Sequence, residues 1–312
     1  VVQLVGVALT SVLLASPAAH AFCRTTTCHT CTPTPGVCIT TGLPLFWAQS
    51  CVSYDLQQDA SVQVALPTAT QIAALAFSHW QAASCPAANA PPSLTFSDLG
   101  PVACDLVEFN QNGSNANIII FRDTSWDDSN GYDPTSTLAL TTVTFNALNG
   151  QILAADIEIN SQLPLSTTAT PTPDAYDLES VLTHEAGHFL GLAHSDLSCD
   201  GDDCPTMHAS YTAGSIDYRT LKADDIAGLC TVYPPGRTTP AGACLPMGGL
   251  SSQCDSASAP ATAVDASHGG CTMAPGAPDS RTPLPALLAA SALLVGIARV
   301  GRRARRPAPP RG

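Results

Sequence analysis

His184-Glu185-Ala186-Gly187-His188-Phe189-Leu190-Gly191-Leu192-Ala193-His194 is the stretch on which the reading of this 312-residue chain turns. It gathers three imidazoles and one carboxylate. Residues four apart share one face of a helix, so His184 and His188 can address a single ion. Glu185 follows the first imidazole and can reach a water held on that ion. Gly191 tolerates the backbone conformation that ends a helix, which lets the chain turn and bring in His194. Three protein ligands and a water make an open zinc site of the catalytic kind, whereas a structural zinc is closed by a fourth side chain. The plainer reading is a helix whose histidines are merely solvated or packed. A set this compact, in a chain with eight His, argues against it.

Working outward, Pro205-Thr206-Met207-His208-Ala209-Ser210-Tyr211 follows the third histidine. The long histidine motif with a downstream methionine resembles the metzincin zinc proteases. Ser195 directly after His194, and Tyr211 four after Met207, look like the matrixin branch. The tyrosine two after the methionine, typical of astacins, is absent because that position is Ala209. Asp177-Leu178 before the motif, and Leu221 to Leu229 after it, are similar to the start of the matrixin zinc helix and to the matrixin last helix. The resemblance runs from about Leu43 to Pro235 and is strongest between Asp177 and Tyr233. It implies an α+β metzincin catalytic domain with a twisted mixed sheet, an active-site helix, a Met-turn and a C-terminal helix. It also implies Zn²⁺ on His184, His188 and His194, with Glu185 as general base. Met207 is expected beneath the metal as apolar support, Tyr211 in the wall of the substrate pocket, and His208 at the surface or just behind the ligands. In that family one edge strand binds extended peptide by strand addition, which directs attention to residues 138–159.

Local patterns fill in the sheet. Ser61 to Leu66 alternates and reads as a strand. Thr70 reads as the cap of a helix presenting Ile72, Ala76 and Trp80 on one face, with Leu75 beside them. Asn117 to Phe121, Leu138 to Phe145 and Ile152 to Ile159 read as strands, and Asn149-Gly150 as a hairpin turn. Asp123, Asp127, Asp128, Asn130 and Asp133 crowd one loop. Such a loop is either a Ca²⁺ site or an ordinary solvated turn.

The ends carry their own signals. Residues 1–21 are apolar and close on Ala19-His20-Ala21, which fits a secretory signal peptide, although the basic start of such a peptide is missing. Thirteen Cys then suit an oxidising compartment. Cys23, Cys28, Cys31 and Cys38 in segment 22–42, with His29 among them, read as a disulfide cluster or as a second zinc knot. Cys199 and Cys204 are placed for a local bridge. No cysteine-switch propeptide is visible. Residues 43–235 form the expected catalytic domain and 236–283 a Pro/Ala/Ser-rich linker. Residues 284–312 join an apolar run, Leu284 to Ala298, to an arginine cluster. That run is short for a bilayer span, but its basic flank suits a membrane stop. With Gly270-Cys271 upstream, the tail resembles the C-terminal sorting tail of myxobacterial surface proteins. This implies contact with the membrane and with a sorting protease, and display at the cell surface.

All 25 acidic residues precede residue 281, alongside only five basic ones, a balance of −20. A body this acidic excludes nucleic acid as a partner. The expectation is a secreted, surface-sorted, monomeric zinc endopeptidase acting on protein or peptide. The alternatives are an inactive metzincin-fold binding module, a surface structural protein, or a zinc hydrolase with a non-protein substrate.

Overall fold

The computed structural model describes residues 22–28, 30–32, 34, 37–126, 132–197, 199, 204–240, 242–254 and the backbone of 266–271. These all belong to the first of two compact units, residues 1–277. In chain order the elements are β1 (Cys23–Arg24), β2 (Cys51–Gln57), α1 (Leu66–Gln81), β3 (Thr95–Val102), β4 (Ile118–Phe121), β5 (Ala139–Phe145) and β6 (Ile152–Ile159). There follow β7 (Leu165–Ser166), β8 (Tyr176–Asp177), α2 (Leu178–Phe189), β9 (Leu192–Ala193), α3 (Ala223–Val232) and β10 (Ala266–Cys271). Asp217–Arg219 adds a 3₁₀ turn.

The main sheet has the order β10-β5-β6-β4-β2-β3. Strands β3, β2, β4 and β6 run parallel, while β5 is antiparallel to β6 and to β10. One face lies under α1 and α2. Tyr54 stacks on Phe77 at 4.3 Å, and Phe77 meets Phe189 edge-on at 5.2 Å. Trp80, fully buried, donates its indole N–H to Thr183 O at 2.8 Å, which fixes α1 across α2. The other face carries a smaller cluster of Val102, Cys104, Ile118 and Ile120, packed by Val107, Ala116 and Cys254. The sheet, two crossing helices and α3 are the expected α+β metzincin architecture.

Several local readings change. The alternating stretch Ser61 to Leu66 is a turn leading into α1, not a strand: Ser61 and Val64 bond each other's backbones, and Pro67 sits in the first helical turn. Thr70 is therefore inside α1 and does not cap it. Leu75 is 41% exposed and stands off the buried face. Strands β2 and β3 were not anticipated. The four N-terminal cysteines are bridged, Cys23–Cys38 and Cys28–Cys31, so the zinc-knot reading falls, and Cys199–Cys204 forms the local bridge.

Segments on either side pack onto the 43–235 domain. Segment 22–42 is woven in: β1 pairs with β9 beside the third histidine, and Thr25 N–H donates to Gly191 O at 3.0 Å. The first part of the expected linker is pinned to the sheet by Cys51–Cys244 and Cys104–Cys254. Arg237 adds hydrogen bonds to Trp47 O and Gln49 O. The signal-peptide reading of 1–21 and the membrane-stop reading of 284–312 lie outside the described residues. Among the described residues no helix is long and apolar enough to cross a membrane.

Candidate metal centre

Asp177 caps α2, its carboxylate accepting from Ser180 N–H at 2.9 Å. Arg219 clamps both oxygens of that carboxylate, at 2.6 and 2.8 Å. The helix is buried almost all round, so it holds His184, Glu185 and His188 rigidly at 0–2% exposure. At its far end Trp47 Nε1 and Tyr233 Oη donate to the carbonyls of Phe189 and Leu190, each at 2.8 Å. Gly191 then takes φ +84°, and a Cβ there would lie 2.8 Å from Leu45 O. Only glycine serves both the left-handed turn and the close approach.

The turn delivers His194. The Nε2 atoms of His184 and His188 stand 3.1 Å apart, and those of His188 and His194 stand 3.2 Å apart. His184 Nδ1 meets Thr206 O at 2.5 Å and His188 Nδ1 meets Leu192 O at 2.9 Å. A ring nitrogen beside a carbonyl carries the proton, which leaves the Nε2 lone pair free to ligate. Burial lowers the pKa of all three histidines, helped at His184 and His194 by the neighbouring imidazoles, and that of His188 falls to about 4. Three neutral, converging imidazoles, two of them buried, are what a divalent cation requires.

Glu185 is fully buried next to them. Oε2 accepts from Thr141 Oγ1 at 2.5 Å, whereas Oε1 has no protein partner. Burial pushes its carboxyl up to about 8, and the Thr141 hydroxyl offsets part of that rise. A cation in the histidine set favours the charged form and draws the value back down. The Oε1 atom of Glu185 and the converging Nε2 atoms together fit a cation and a water.

The support around these groups is dense. Met207 is buried with its Sδ against Gly187, where an added Cβ would approach it to 2.2 Å. Asp225 in α3 accepts from the N–H groups of Thr206 at 2.8 Å, Met207 at 3.0 Å and Lys222 at 2.8 Å. Its carboxyl is pushed up to about 6 by burial, against those three hydrogen bonds. Ser195 donates from Oγ to Asp224 at 2.7 Å and from its N–H to Met207 O at 2.8 Å. Tyr218 lies over His184 at 6.1 Å, Tyr211 lies 5.0 Å from Tyr218, and the Tyr211 hydroxyl donates to Ser215 O. His208 is partly exposed, its Nδ1 3.2 Å from the Tyr218 hydroxyl.

All six residues singled out from the sequence thus converge on one place. Thr141, Asp225 and Tyr218 were missed as functional residues. Thr141 comes from a distant strand and carries no local signal; Asp225 was visible only as part of the last-helix resemblance. The acidic loop divides differently. Asp127, Asp128 and Asn130 lie outside the described residues. Asp123 accepts from Ser61 Oγ and Val62 N–H, and Asp133 accepts from Thr135, so both described carboxylates cap local backbone.

A helix, a turn and a Met-containing loop that bring three imidazoles and a carboxylate together are the arrangement of the metzincin fold class. The matrixin family model matches residues 46–234, more than half of the chain, and the chain belongs to the matrixin family. It is 33% identical over 104 residues to metalloendoproteinase 1-MMP of Arabidopsis thaliana, a match covering 29% of this chain and 26% of that protein. It is 34% identical over 92 residues to human matrix metalloproteinase-16, covering 29% of this chain and 14% of that protein. The chain therefore spans about a quarter or less of the length of these curated relatives. Matrixins are zinc-dependent peptidases.

Proposed function

We propose that the chain is an endopeptidase that hydrolyses peptide bonds in extended protein segments, with His184, His188 and His194 holding one Zn²⁺. The observation that carries this reading is the convergence of three Nε2 atoms, two of them on fully buried rings, beside the buried Oε1 of Glu185. When bound, the cation supplies Lewis acidity, lowering the pKa of water and polarising the scissile carbonyl. Glu185 takes the proton of the attacking water on Oε1 and hands it to the leaving amine. Thr141 holds the other carboxylate oxygen, so the base keeps one orientation through both transfers. Met207 gives the ligand cradle an apolar floor, and Tyr211 with Tyr218 forms an aromatic wall beside His184.

The test is Glu185→Ala in the intact protein. The histidines should still bind stoichiometric zinc, while peptide hydrolysis falls by at least about 10²–10⁴-fold, the usual worth of a general base. Near-wild-type turnover would remove Glu185 from the mechanism. Zinc binding without any hydrolysis by the native chain would favour a binding module.

The setting proposed is extracellular, with residues 1–21 removed on export and the tail from Cys271 recognised for surface sorting. Its support is the apolar run before the arginine cluster and the bridged cysteines, which need an oxidising compartment. Mass spectrometry of the mature surface form should find no peptide from Leu284 to Gly312. Recovery of the Arg302–Arg306 region would make the tail a permanent anchor.

A further inference from the structure

Strand β5 is the antiparallel outer strand of the domain sheet, and its residue Thr141 touches Glu185. A peptide that brings its scissile bond to Glu185 has this strand to lie along. An edge strand offers a row of backbone N–H and C=O groups, and peptides dock there by adding a strand. In this structure that edge is taken. The backbone of β10 pairs antiparallel along β5 from Ala266 opposite Thr144 to Cys271 opposite Ala139, and Gly269 stands opposite Thr141. The chain's own segment therefore covers the register that touches Glu185.

We propose that Ala266–Cys271 is an intrachain blocker of the peptide-docking edge, competing with substrate for β5. The proposal rests on the endopeptidase reading. Its composition favours a releasable blocker over a permanent sixth strand. Ala-Ser-His-Gly-Gly-Cys contains no β-branched or large aromatic residue, so its intrinsic preference for a strand is poor. What holds it near is the tether: Cys51–Cys244 and Cys104–Cys254 fix the preceding segment to the sheet. A tethered segment competes at an effective concentration on the order of millimolar, so even weak pairing raises the apparent KM. The N-terminal cysteines cannot serve as blockers by capping the metal, because both of their pairs are bridged. Anything that removes or displaces 266–271 would open the edge without touching the metal ligands.

The experiment uses the full chain with Gly269→Pro and Gly270→Pro together. Proline has no N–H to give to the ladder. Three readouts are taken: binding of a fluorescent synthetic peptide of sequence 264–273, hydrogen exchange of the β5 amides, and hydrolysis of a quenched peptide. The proline variant should bind the labelled peptide where wild type does not, its β5 amides should lose hydrogen-exchange protection, and its KM should fall roughly three- to ten-fold at unchanged kcat. Equal peptide binding and equal β5 protection in the two proteins would overturn the proposal. So would an exposed β5 with an unchanged KM. If neither protein hydrolyses any peptide, the endopeptidase reading fails, and the binding and exchange measurements still decide whether 266–271 occupies the edge.

Discussion

The carboxylate of Glu185 sits between opposed influences. Burial favours its neutral form, while the Thr141 hydroxyl, 2.5 Å from Oε2, favours the charged form that a base needs. Hydrogen bonds to charged groups are worth about 1.5–3 kcal/mol. Thr141→Val keeps the shape and deletes the donor; Thr141→Ser keeps the donor and deletes a methyl. The Val variant should lose about ten-fold or more in kcat with little change in KM. Its sign in pH is fixed as well. Without the donor the carboxyl pKa rises, so the acidic limb of the kcat profile moves to higher pH. The Ser variant should restore both kcat and the limb. A Val variant with wild-type pH dependence would show that Thr141 only packs.

At the scale of elements, the site is three pieces locked together: α2, the turn to His194, and the Met-turn tied to α3 by Asp225. Gly187 is where two of these touch. In an exposed helix, Gly→Ala adds about 1 kcal/mol of stability. Here the new Cβ would lie 2.2 Å from Met207 Sδ and 2.8 Å from the Trp80 ring. Overpacking of that kind costs about 1–3 kcal/mol, so it outweighs the propensity gain. Gly187→Ala should lower Tm and weaken zinc affinity, because moving Met207 drags Thr206 O away from His184 Nδ1. A higher Tm with unchanged zinc affinity would contradict this packing. The helix and its ligands were legible in sequence because spacing on one helix is local information. So was β6, whose apolar run follows the Asn149-Gly150 turn. Alternation alone was not enough elsewhere. Val52, Tyr54 and Leu56 alternate with Ser53, Asp55 and Gln57 and do form β2, while Ser61 to Leu66 alternates and does not. The difference lies in pairing partners, which are far away in the chain. The pinned segment 244–254 has linker-like composition, and only disulfide connectivity, which sequence does not encode, reveals its place.

For the whole molecule, the acidic balance has a consequence inside the sheet. Asp55 on β2 is fully buried, and no side chain among the described residues hydrogen-bonds its carboxylate. Burial, partly offset by the Asn117 backbone and aided by Asp98, pushes its pKa up to about 7. Asp156 on β6 is buried too and raised well above the usual range, burial being the first cause. These strands belong to the element that carries β5, so their protonation bears on the frame of the site. A raised folded-state pKa means the neutral acid is preferred on folding. The penalty is absent below the unfolded value near 4, grows as pH rises, and is complete above about 7. For Asp55 its upper bound is about 4 kcal/mol, from roughly three pKa units at 1.36 kcal/mol each. Asp55→Asn carries no charge to bury. Its stability should approach that of wild type near pH 4 and exceed it by a margin that grows to about 1–4 kcal/mol at pH 8, read from urea midpoints at constant zinc. The same comparison excludes a general electrostatic cause, since removing one negative charge at an exposed site, as in Asp59→Asn, should move neither midpoint by more than about 0.5 kcal/mol. If Asp55→Asn keeps the wild-type pH slope between 5 and 8, the buried carboxylate is solvated in the folded protein and the strain assigned to it is absent.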